Sequence, residues 1–476
     1  MRPTLRAPFL ALLPALLIGQ VPPPPASAPA TAKPPQHPEG IPGQLTRAIA
    51  EKGRHLADLQ ELCDTIGPRM TGSERMRRAQ SWAAAKLTAM GAVNVHEEAY
   101  GFGHAWTRGE ERARLLTHNQ VPLMIAQQAF TPGFDKPMQG EVMEPADFKL
   151  ETLQALKGQL KGKILLRGMA PRPVPGTPRP DPKAQDALTQ FLKDEGVLAV
   201  LTMSNKAYGL LTTGGGPGRE PGRPSIPGGT LTQEGFKQLQ RLLARKEPVR
   251  LELMLGGRLS KAPVNDYNVV GELKGSEKPE EVVILGAHLD SWDLGTGATD
   301  NGTGSVAALE ALRALLALPV KPKRTIRVVL FSGEEQGLLG SKAYAEAHKP
   351  EMDRIQAVLV DDMGTGRIKG WALQGREDLR APMAAAISPM NDLGLRELPL
   401  TRVGATDHAS FLPFGVPAFS AFQEAEDYNT HTHHSHVDTL ERVQPEALTQ
   451  GAQALAVTAW ELANAPALPH KAPEGR

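Results

Sequence analysis

Short apolar runs alternate with helical patterns from about Pro263 to the C-terminus, and this alternation constrains the fold more than any other feature. Apolar runs of about four to eight residues have the length of buried strands, whereas apolar residues three or four positions apart indicate amphipathic helices. Strands that alternate with helices build a largely parallel sheet covered on both faces. The sequence therefore predicts an α/β fold with a mixed, mostly parallel central sheet flanked by helices. The predicted strands are residues 267–273, 282–287, 325–331, 356–360 and 416–422, and the predicted helices are residues 304–318, 338–348, 379–393 and 445–463.

Acidic and histidine clusters follow these strands or lie in a loop late in the same region. Polar groups at the carboxyl ends of parallel strands converge in space even when they are far apart in sequence. Carboxylates crowded in this way repel one another unless a cation lies among them. Imidazole with carboxylate suits zinc, or cobalt and manganese at similar sites. The clusters are His288-Leu289-Asp290, Asp300-Asn301, Glu334-Glu335, Asp361-Asp362 and the tract at residues 431–439.

Each cluster alone has an ordinary structural explanation. A histidine at a strand end is often only hydrogen-bonded, and a glutamate pair is usually on the surface. The histidine tract is also compatible with a non-specific metal-binding loop. The occurrence of all five in order favours a site. Because Cys63 is the only cysteine, the sequence excludes an intrachain disulfide and a cysteine-based zinc site.

The 476-residue length favours two domains. Residues 118–262 contain strand and helix patterns but no histidine–carboxylate cluster, which predicts an inserted, smaller, β-rich α+β domain. The glycine run at residues 214–218 lacks the ending of a phosphate loop, and we interpret it as a mobile surface loop. The predicted division is residues 44–117 and 263–466 for the main domain, with a disordered tail at residues 467–476.

The N-terminus has a basic start, a short apolar run and small residues at positions 26–28, which is typical of a signal peptide. An N-terminal anchor helix is the alternative. Residues 29–43 are rich in proline and alanine and are predicted to be a disordered linker. The expected location is the periplasm or the extracellular space. A net charge of +1 gives no reason to expect a nucleic-acid partner, or membrane contact beyond the signal peptide.

A first helix is predicted at residues 45–63. Thr71 and Glu74 have the spacing of a capping box, which predicts a helix that runs to about Met90. A strand is predicted at residues 93–100. This first segment is interpreted as scaffold.

Four motifs resemble the co-catalytic zinc exopeptidase family, which includes aminopeptidase Y, secreted leucine aminopeptidases and carboxypeptidase Q. The motifs are GAHLDSWDLGTGATDNGTG, FSGEEQGLLGS, VDDMG and HHSHVDT. HLDSWD together with HHSHVDT is most similar to the carboxypeptidase Q branch. The resemblance reaches upstream to IGPRMTGSERM and covers most of the chain outside the leader. On weaker motifs, the inserted region is similar to a protease-associated domain.

The resemblance implies a role for each matching residue and a cofactor of two Zn²⁺ per chain, with Co²⁺ or Mn²⁺ tolerated. His434 is preferred to His433 or His436 because it precedes Asp438 by four residues, and Asp362 is preferred to Asp361 because methionine follows it. The family also implies a cis peptide bond after the bridging aspartate. The implied roles are His288 and Asp362 on one metal, Glu335 and His434 on the other, Asp300 bridging both, Glu334 as general base, Asp290 orienting His288 and Asp438 orienting His434.

An exopeptidase also has to recognise a chain terminus, and the expected substrate is a peptide or dipeptide with a free N-terminus. Asp293 and Asp407 are candidates for binding the α-amino group. His408 is a candidate for the pocket wall, as are the nearby Phe411 and Phe414, and Tyr428 is a candidate donor to the oxyanion. Aminopeptidase and dipeptidase activity stay open, and a homodimer is compatible with the family.

Three other functions stay open at this stage. One is acyl transfer at a single zinc, as in glutaminyl cyclases on the same fold. Another is a non-catalytic ectodomain of the transferrin-receptor type, in which metal ligands are lost. The third is a zinc-storage protein, which does not account for Glu334 and Glu335.

Overall fold

The computed structural model of this protein describes residues 37–168 and 181–471, so the predicted signal peptide at residues 1–28 lies outside the described residues. The described strands are β1 (Val93–Thr107), β2 (Glu111–Leu115), β3 (Pro122–Leu123), β4 (Ile125–Gln127), β5 (Met138–Met143), β6 (Lys163–Arg167), β7 (Ala199–Met203), β8 (Gly228–Leu231), β9 (Arg250–Leu255), β10 (Arg258–Leu273), β11 (Lys278–His288), β12 (Arg324–Phe331), β13 (Ile355–Val360), β14 (Ile368–Ala372) and β15 (Ala418–Gln423). The described helices are α1 (Gly40–Lys52), α2 (His55–Gln60), α3 (Glu74–Ala89), α4 (Leu150–Gln154), α5 (Pro182–Asp194), α6 (Gln233–Ala244), α7 (Thr303–Leu316), α8 (Leu339–Ala347), α9 (Arg380–Ile387) and α10 (Pro445–Asn464).

One sheet has seven strands in the order β1-β10-β12-β11-β13-β15-β14. The four strands β12, β11, β13 and β15 are parallel, whereas β10, β1 and β14 pair antiparallel at the two edges. The prediction of a mixed, mostly parallel sheet flanked by helices is therefore confirmed. All five strands predicted in this region are present, and the sequence pattern missed only β14, which is short.

Consecutive side chains of each strand point to opposite faces of the sheet. In this sheet both faces are buried. In β11, Val283, Leu285 and Ala287 pack on one face in the core that includes α7 and α10. The neighbouring residues Val282 and Ile284 pack on the other face, in the core that includes α8. Continuous apolar strands of this kind are typical of parallel sheets covered by helices.

The strand order brings three polar clusters together at the carboxyl ends of three adjacent strands. β11 lies between β12 and β13, and its last residue, His288, pairs in register with Phe331. Gly286 pairs with Val360, the last residue of β13. The three strands therefore end at the same level of the sheet, and the polar residues that follow them come together there.

A second sheet has eight strands in the order β3-β2-β9-β5-β6-β7-β8-β4. α6 covers one face and α4 and α5 cover the other, with Ile164 and Leu165 of β6 buried in the two separate cores. This sheet extends from Glu111 to Leu255, whereas the sequence pattern places the inserted domain at residues 118–262. The domain boundaries stay a prediction.

Several local features differ from the predictions. α1 begins at Gly40, inside the predicted linker, and the predicted helix at residues 45–63 is interrupted at Gly53, which has an extended backbone. Helix α3 is capped by Ser73, whose hydroxyl accepts from the Met76 amide, so Thr71 is not its cap. Leu468 in the predicted tail is buried in the core. None of the described helices has the length and apolar character needed to cross a membrane.

Candidate metal centre

The first half of the site is formed by His288, Asp300 and Asp362. The Nε2 atom of His288 lies 3.0 Å from Asp362 Oδ1 and 3.3 Å from Asp300 Oδ1. His288 Nδ1 donates to the backbone carbonyl of Asp290 at 2.9 Å. Because a carbonyl only accepts, Nδ1 carries a proton, and Nε2 is the ring nitrogen that faces the two carboxylates and would bind a metal in the neutral ring. This is the arrangement of a metal-ligating histidine.

The second half is formed by His434, Glu335 and the other oxygen of Asp300. His434 Nε2 lies 2.9 Å from Glu335 Oε2 and 3.6 Å from Asp300 Oδ2. The two oxygens of Asp300 thus face different halves of the site. His433 stacks on His434 with ring centroids 3.7 Å apart, and its ring lies close enough to Asp300 and His434 to be an alternative ligand.

Burial and mutual charge determine the titration of the cluster. Burial raises the pKa of Glu335 well above its usual range, and the nearby Asp300 raises it further. Burial alone lowers the pKa of His288, but Asp362 and the other carboxylates outweigh it and raise the value well above normal. Burial raises the pKa of Asp300, yet His288 and His434 lower it overall. The cluster therefore has an excess of buried carboxylates around two imidazoles, which a cation would compensate.

Asp290 connects His288 to the glutamate pair. The Asp290 carbonyl accepts the hydrogen bond from His288. The Asp290 carboxylate accepts from the Glu334 amide at 3.3 Å and from the Glu335 amide at 3.4 Å. It also accepts from the Thr71 hydroxyl at 2.9 Å. Thr71, which was expected to cap α3, instead helps to fix a carboxylate that holds two of the site segments together.

Asp438 lies next to the backbone of Asp300 and not next to the imidazole of His434, which it was expected to orient. Its carboxylate accepts from the Thr299 amide at 2.7 Å and from the Asp300 amide at 3.2 Å. Burial, with Asp300 nearby, raises the pKa of Asp438 to about 7. The peptide bond between Asp300 and Asn301 is cis, as the family resemblance implies.

The residues suggested for substrate binding occupy different environments. Asp293 forms a two-point ion pair with Arg108, at 2.6 and 2.9 Å. Asp407 is fully buried, and burial raises its pKa to about 7 although a contact with the Ser341 hydroxyl lowers it. His408 is also fully buried, and burial lowers its pKa to about 4. Tyr428 is different, because it lines the cavity beside the metal centre.

That first cavity has a volume of about 970 Å³. Glu334 lines it together with Asp300, Glu335, Asp362 and His434. Burial raises the pKa of Glu334 well above its usual range, and the neighbouring carboxylates add to the shift. Phe414 lines the cavity as expected, whereas Phe411 is buried in the core.

Arg69 is a site-building residue that the sequence pattern did not reveal. It is fully buried, and its guanidinium donates to the backbone carbonyls of Leu289, Thr296 and Gly297 at 2.6, 2.7 and 2.7 Å. It therefore clamps both ends of the loop between His288 and Asp300. The only available signal was an arginine in the IGPRM segment, and one arginine in an apolar context does not predict its contacts.

The second sheet also contributes to the site through its loops. The Thr213 amide donates to the His434 carbonyl at 3.0 Å, and the Leu211 amide donates to His436 Nδ1 at 3.1 Å. The adjoining glycine run was interpreted as a mobile surface loop, but Gly214 and Gly216 exchange backbone hydrogen bonds with Ala129. These two bonds connect the run to the Ala129 backbone, and its mobility stays a prediction.

The donor set fits zinc. Imidazole nitrogens and carboxylate oxygens are the ligands that zinc takes when cysteine is absent. Two groups of residues each place ligand atoms within 4.8 Å of one another. Asp300 Oδ2 and Glu335 Oε1 are buried and have no hydrogen-bond partner among the described residues, so a cation is the missing partner that both oxygens suit. The groups are Asp300 with His433 and His434, and His288 with Asp300 and Asp362.

Similar proteins point to one family. The sequence model of peptidase family M28 matches residues 268–459. Carboxypeptidase Q of Mus musculus is 31% identical over 407 residues, which cover 85% of this chain and 84% of the mouse protein. Carboxypeptidase Q of Homo sapiens is 30% identical over 417 residues, which cover 87% of this chain and 86% of the human protein.

Solved structures agree with this assignment. A peptidase M28 precursor from Shewanella amazonensis SB2B matches with a TM-score of 0.77 at 29% identity, covering 91% of this chain and 98% of that one. The zinc aminopeptidase BSAP from Bacillus subtilis shares the fold, with a TM-score of 0.64 at 19% identity and coverage of 86% of this chain and 94% of that one. The chain is therefore a metallo-exopeptidase of peptidase family M28.

Proposed function

We propose that this enzyme hydrolyses the peptide bond next to a free N-terminus, with two zinc ions bound per chain and Glu334 as general base. The observation that carries the proposal is the position of Asp300, whose two carboxylate oxygens face His288 on one side and His434 on the other. His288 and Asp362 would hold one ion, Glu335 and His434 the other, and Asp300 both. The carboxypeptidase Q relatives and the zinc aminopeptidase with the same fold support this assignment.

The chain's own residues divide the work of hydrolysis. Bound zinc would supply a Lewis acid that polarises the scissile carbonyl and lowers the pKa of the attacking water towards about 7. Glu334 takes a proton from that water and passes it to the leaving amine. Its raised pKa suits a general base at neutral pH. Asp290 holds the Glu334 amide, and Tyr428 is placed in the cavity wall to donate to the oxyanion.

The first cavity suits the amino end of the substrate. Five carboxylates and one lysine line it, and its wall is completed by apolar residues such as Leu338, Val403 and Phe414. Asp407 lies directly after Thr406 of that wall and is fully buried. Burial raises the pKa of Asp407 to about 7, and we assign to this carboxyl the pairing with the ammonium group, which would favour its ionised form. Asp293 is a weaker candidate because Arg108 already compensates its charge.

We expect N-acetylated leucyl peptides to be cleaved roughly 30-fold more slowly than the free peptides, or slower still, because acetylation removes the charge that a buried carboxylate would pair with. The measurement is kcat/KM for matched pairs of peptides. Asp407→Asn is expected to reduce the ratio of kcat/KM between the free and the acetylated peptide, whereas Asp293→Asn should leave that ratio unchanged. Equal cleavage of the free and acetylated peptides by the wild type would refute recognition of the N-terminus.

A further inference from the structure

A second cavity of about 510 Å³ lies between the metal centre and the loops of the second sheet. Glu335 lines both cavities, so the proposed metal site lies where the two meet. Trp292 and Gln336 stand at the same junction, since Trp292 packs edge-on against His434 with ring centroids 5.8 Å apart. The volume falls within the range of about 300–1,000 Å³ that is typical of small-ligand sites. None of the steps assigned above uses this space.

Three side chains in the cavity wall carry buried polar atoms without a hydrogen-bond partner among the described residues. They are the indole Nε1 of Trp292, both amide atoms of Gln336 and the hydroxyl of Ser225. Trp292 is only 7% exposed. Leaving a buried polar group unpaired costs about 1–3 kcal/mol, so these groups are suited to pair with polar atoms of a molecule in the cavity.

The chemistry of these groups matches a peptide main chain. The indole N–H only donates, whereas the amide of Gln336 and the hydroxyl of Ser225 both donate and accept. A peptide group offers one carbonyl acceptor and one N–H donor. A terminal carboxylate offers acceptors alone, so it would satisfy the donors but leave the Gln336 carbonyl oxygen unpaired.

The charges of the two cavities orient a bound peptide. The charged residues that line the first cavity are mainly carboxylates, which favour the ammonium end. The second is lined by three arginines, of which Arg223 is paired with Asp186 at 2.7 Å and Arg219 with Glu220 at 3.3 Å. Arg167 lies over the Phe148 ring and has no carboxylate within 4.0 Å among the described residues. Its charge is therefore available to the carboxyl end of a peptide.

We propose that the second cavity binds the leaving part of the peptide substrate, with Trp292 and Gln336 holding the first main-chain group after the scissile bond and Arg167 attracting the C-terminal carboxylate. This inference rests on the proposed function and adds the residues that recognise the leaving group. They would favour leaving groups that carry a peptide main chain over leaving groups that have none. The loops of the second sheet are then part of the substrate site.

The test compares kcat/KM for leucyl-glycyl-glycine with kcat/KM for leucyl-p-nitroanilide, whose leaving group has no main chain. We expect Gln336→Leu and Trp292→Phe each to lower the ratio of tripeptide to anilide hydrolysis by about 5–10-fold, the value of one lost hydrogen bond. Trp82→Phe is the matched control. It removes another buried indole N–H, but Trp82 lines neither cavity, and the ratio should not change.

A second comparison separates the carboxylate from the main chain. Arg167→Gln is expected to lower the preference for leucyl-glycyl-glycine over its C-terminal amide, whereas Gln336→Leu should lower hydrolysis of both. If Gln336→Leu and Trp292→Phe reduce tripeptide and anilide hydrolysis by the same factor, the subsite is overturned while the exopeptidase function stands. If zinc-loaded wild type cleaves neither substrate, the proposed function is overturned and the subsite with it. Zinc content and thermal melting are measured on every variant, and only the variants that remain folded are used to judge the proposal.

Discussion

Glu334→Gln is expected to keep zinc bound and to lose hydrolysis by about 10²–10⁴-fold, which is the usual contribution of a positioned general base. Glutamine has the same size as glutamate but cannot accept a proton from the attacking water. Zinc should remain because the neighbouring Glu335, and not Glu334, contacts His434, at 2.9 Å. The measurement is kcat/KM for a leucyl peptide together with zinc per chain by elemental analysis of the same sample.

The matched control for this variant is Glu346→Gln. Glu346 lines the same cavity, but its side chain is 72% exposed and lies away from the metal ligands. It should retain zinc and turnover, which shows that removing a carboxylate from the cavity is not enough to stop the reaction. Wild-type turnover by a zinc-replete Glu334→Gln enzyme would remove Glu334 from the role of base.

Asp300→Asn is expected to reduce bound zinc from two ions per chain to one or none, and to reduce hydrolysis at least about 100-fold. Asparagine replaces one of the two oxygens with an amide nitrogen and removes the negative charge. Because the oxygens of Asp300 face the two halves of the site separately, both halves lose affinity. Metal titration followed by calorimetry would give the number of sites and their affinities.

Asp361→Asn provides the comparison for Asp300→Asn. Asp361 is also a buried carboxyl, and burial together with Asp362 raises its pKa to about 7. It does not group with His288, whereas its neighbour Asp362 does. We therefore expect Asp361→Asn to bind two zinc ions and Asp362→Asn to lose one. The reverse pattern would transfer the ligand role to Asp361.

Local sequence patterns predicted most of the catalytic sheet. β11, β12 and β13 each contain a short apolar run, and such runs have the length of buried strands. The edge strands were harder to predict. β14 is only five residues long and pairs antiparallel with β15, which no local pattern specifies. The helix predicted at residues 379–393 changes to a tighter turn after Ile387, because Pro389 removes a backbone donor.

Side-chain contacts between distant segments were less predictable. Thr71 has the sequence spacing of a helix cap but bonds to Asp290, which is 219 positions away along the chain. The family resemblance implies that Asp438 orients His434, whereas the Asp438 carboxylate accepts a hydrogen bond from the Asp300 amide. Each of these side chains could form hydrogen bonds of similar strength with several different groups. The tertiary structure determines which of those groups lies within reach.

The sequence alone determined the fold class and the set of polar residues at the strand ends, because strand formation depends on local apolar patterning and family motifs are contiguous. Only the tertiary structure decided how these residues meet. It placed the two oxygens of Asp300 towards different histidines, used Arg69 to fix the loop between His288 and Asp300, and brought the loops of the second sheet against Trp292 and Gln336. These relations depend on which surfaces pack together across hundreds of residues, and packing geometry is a property of the folded chain as a whole.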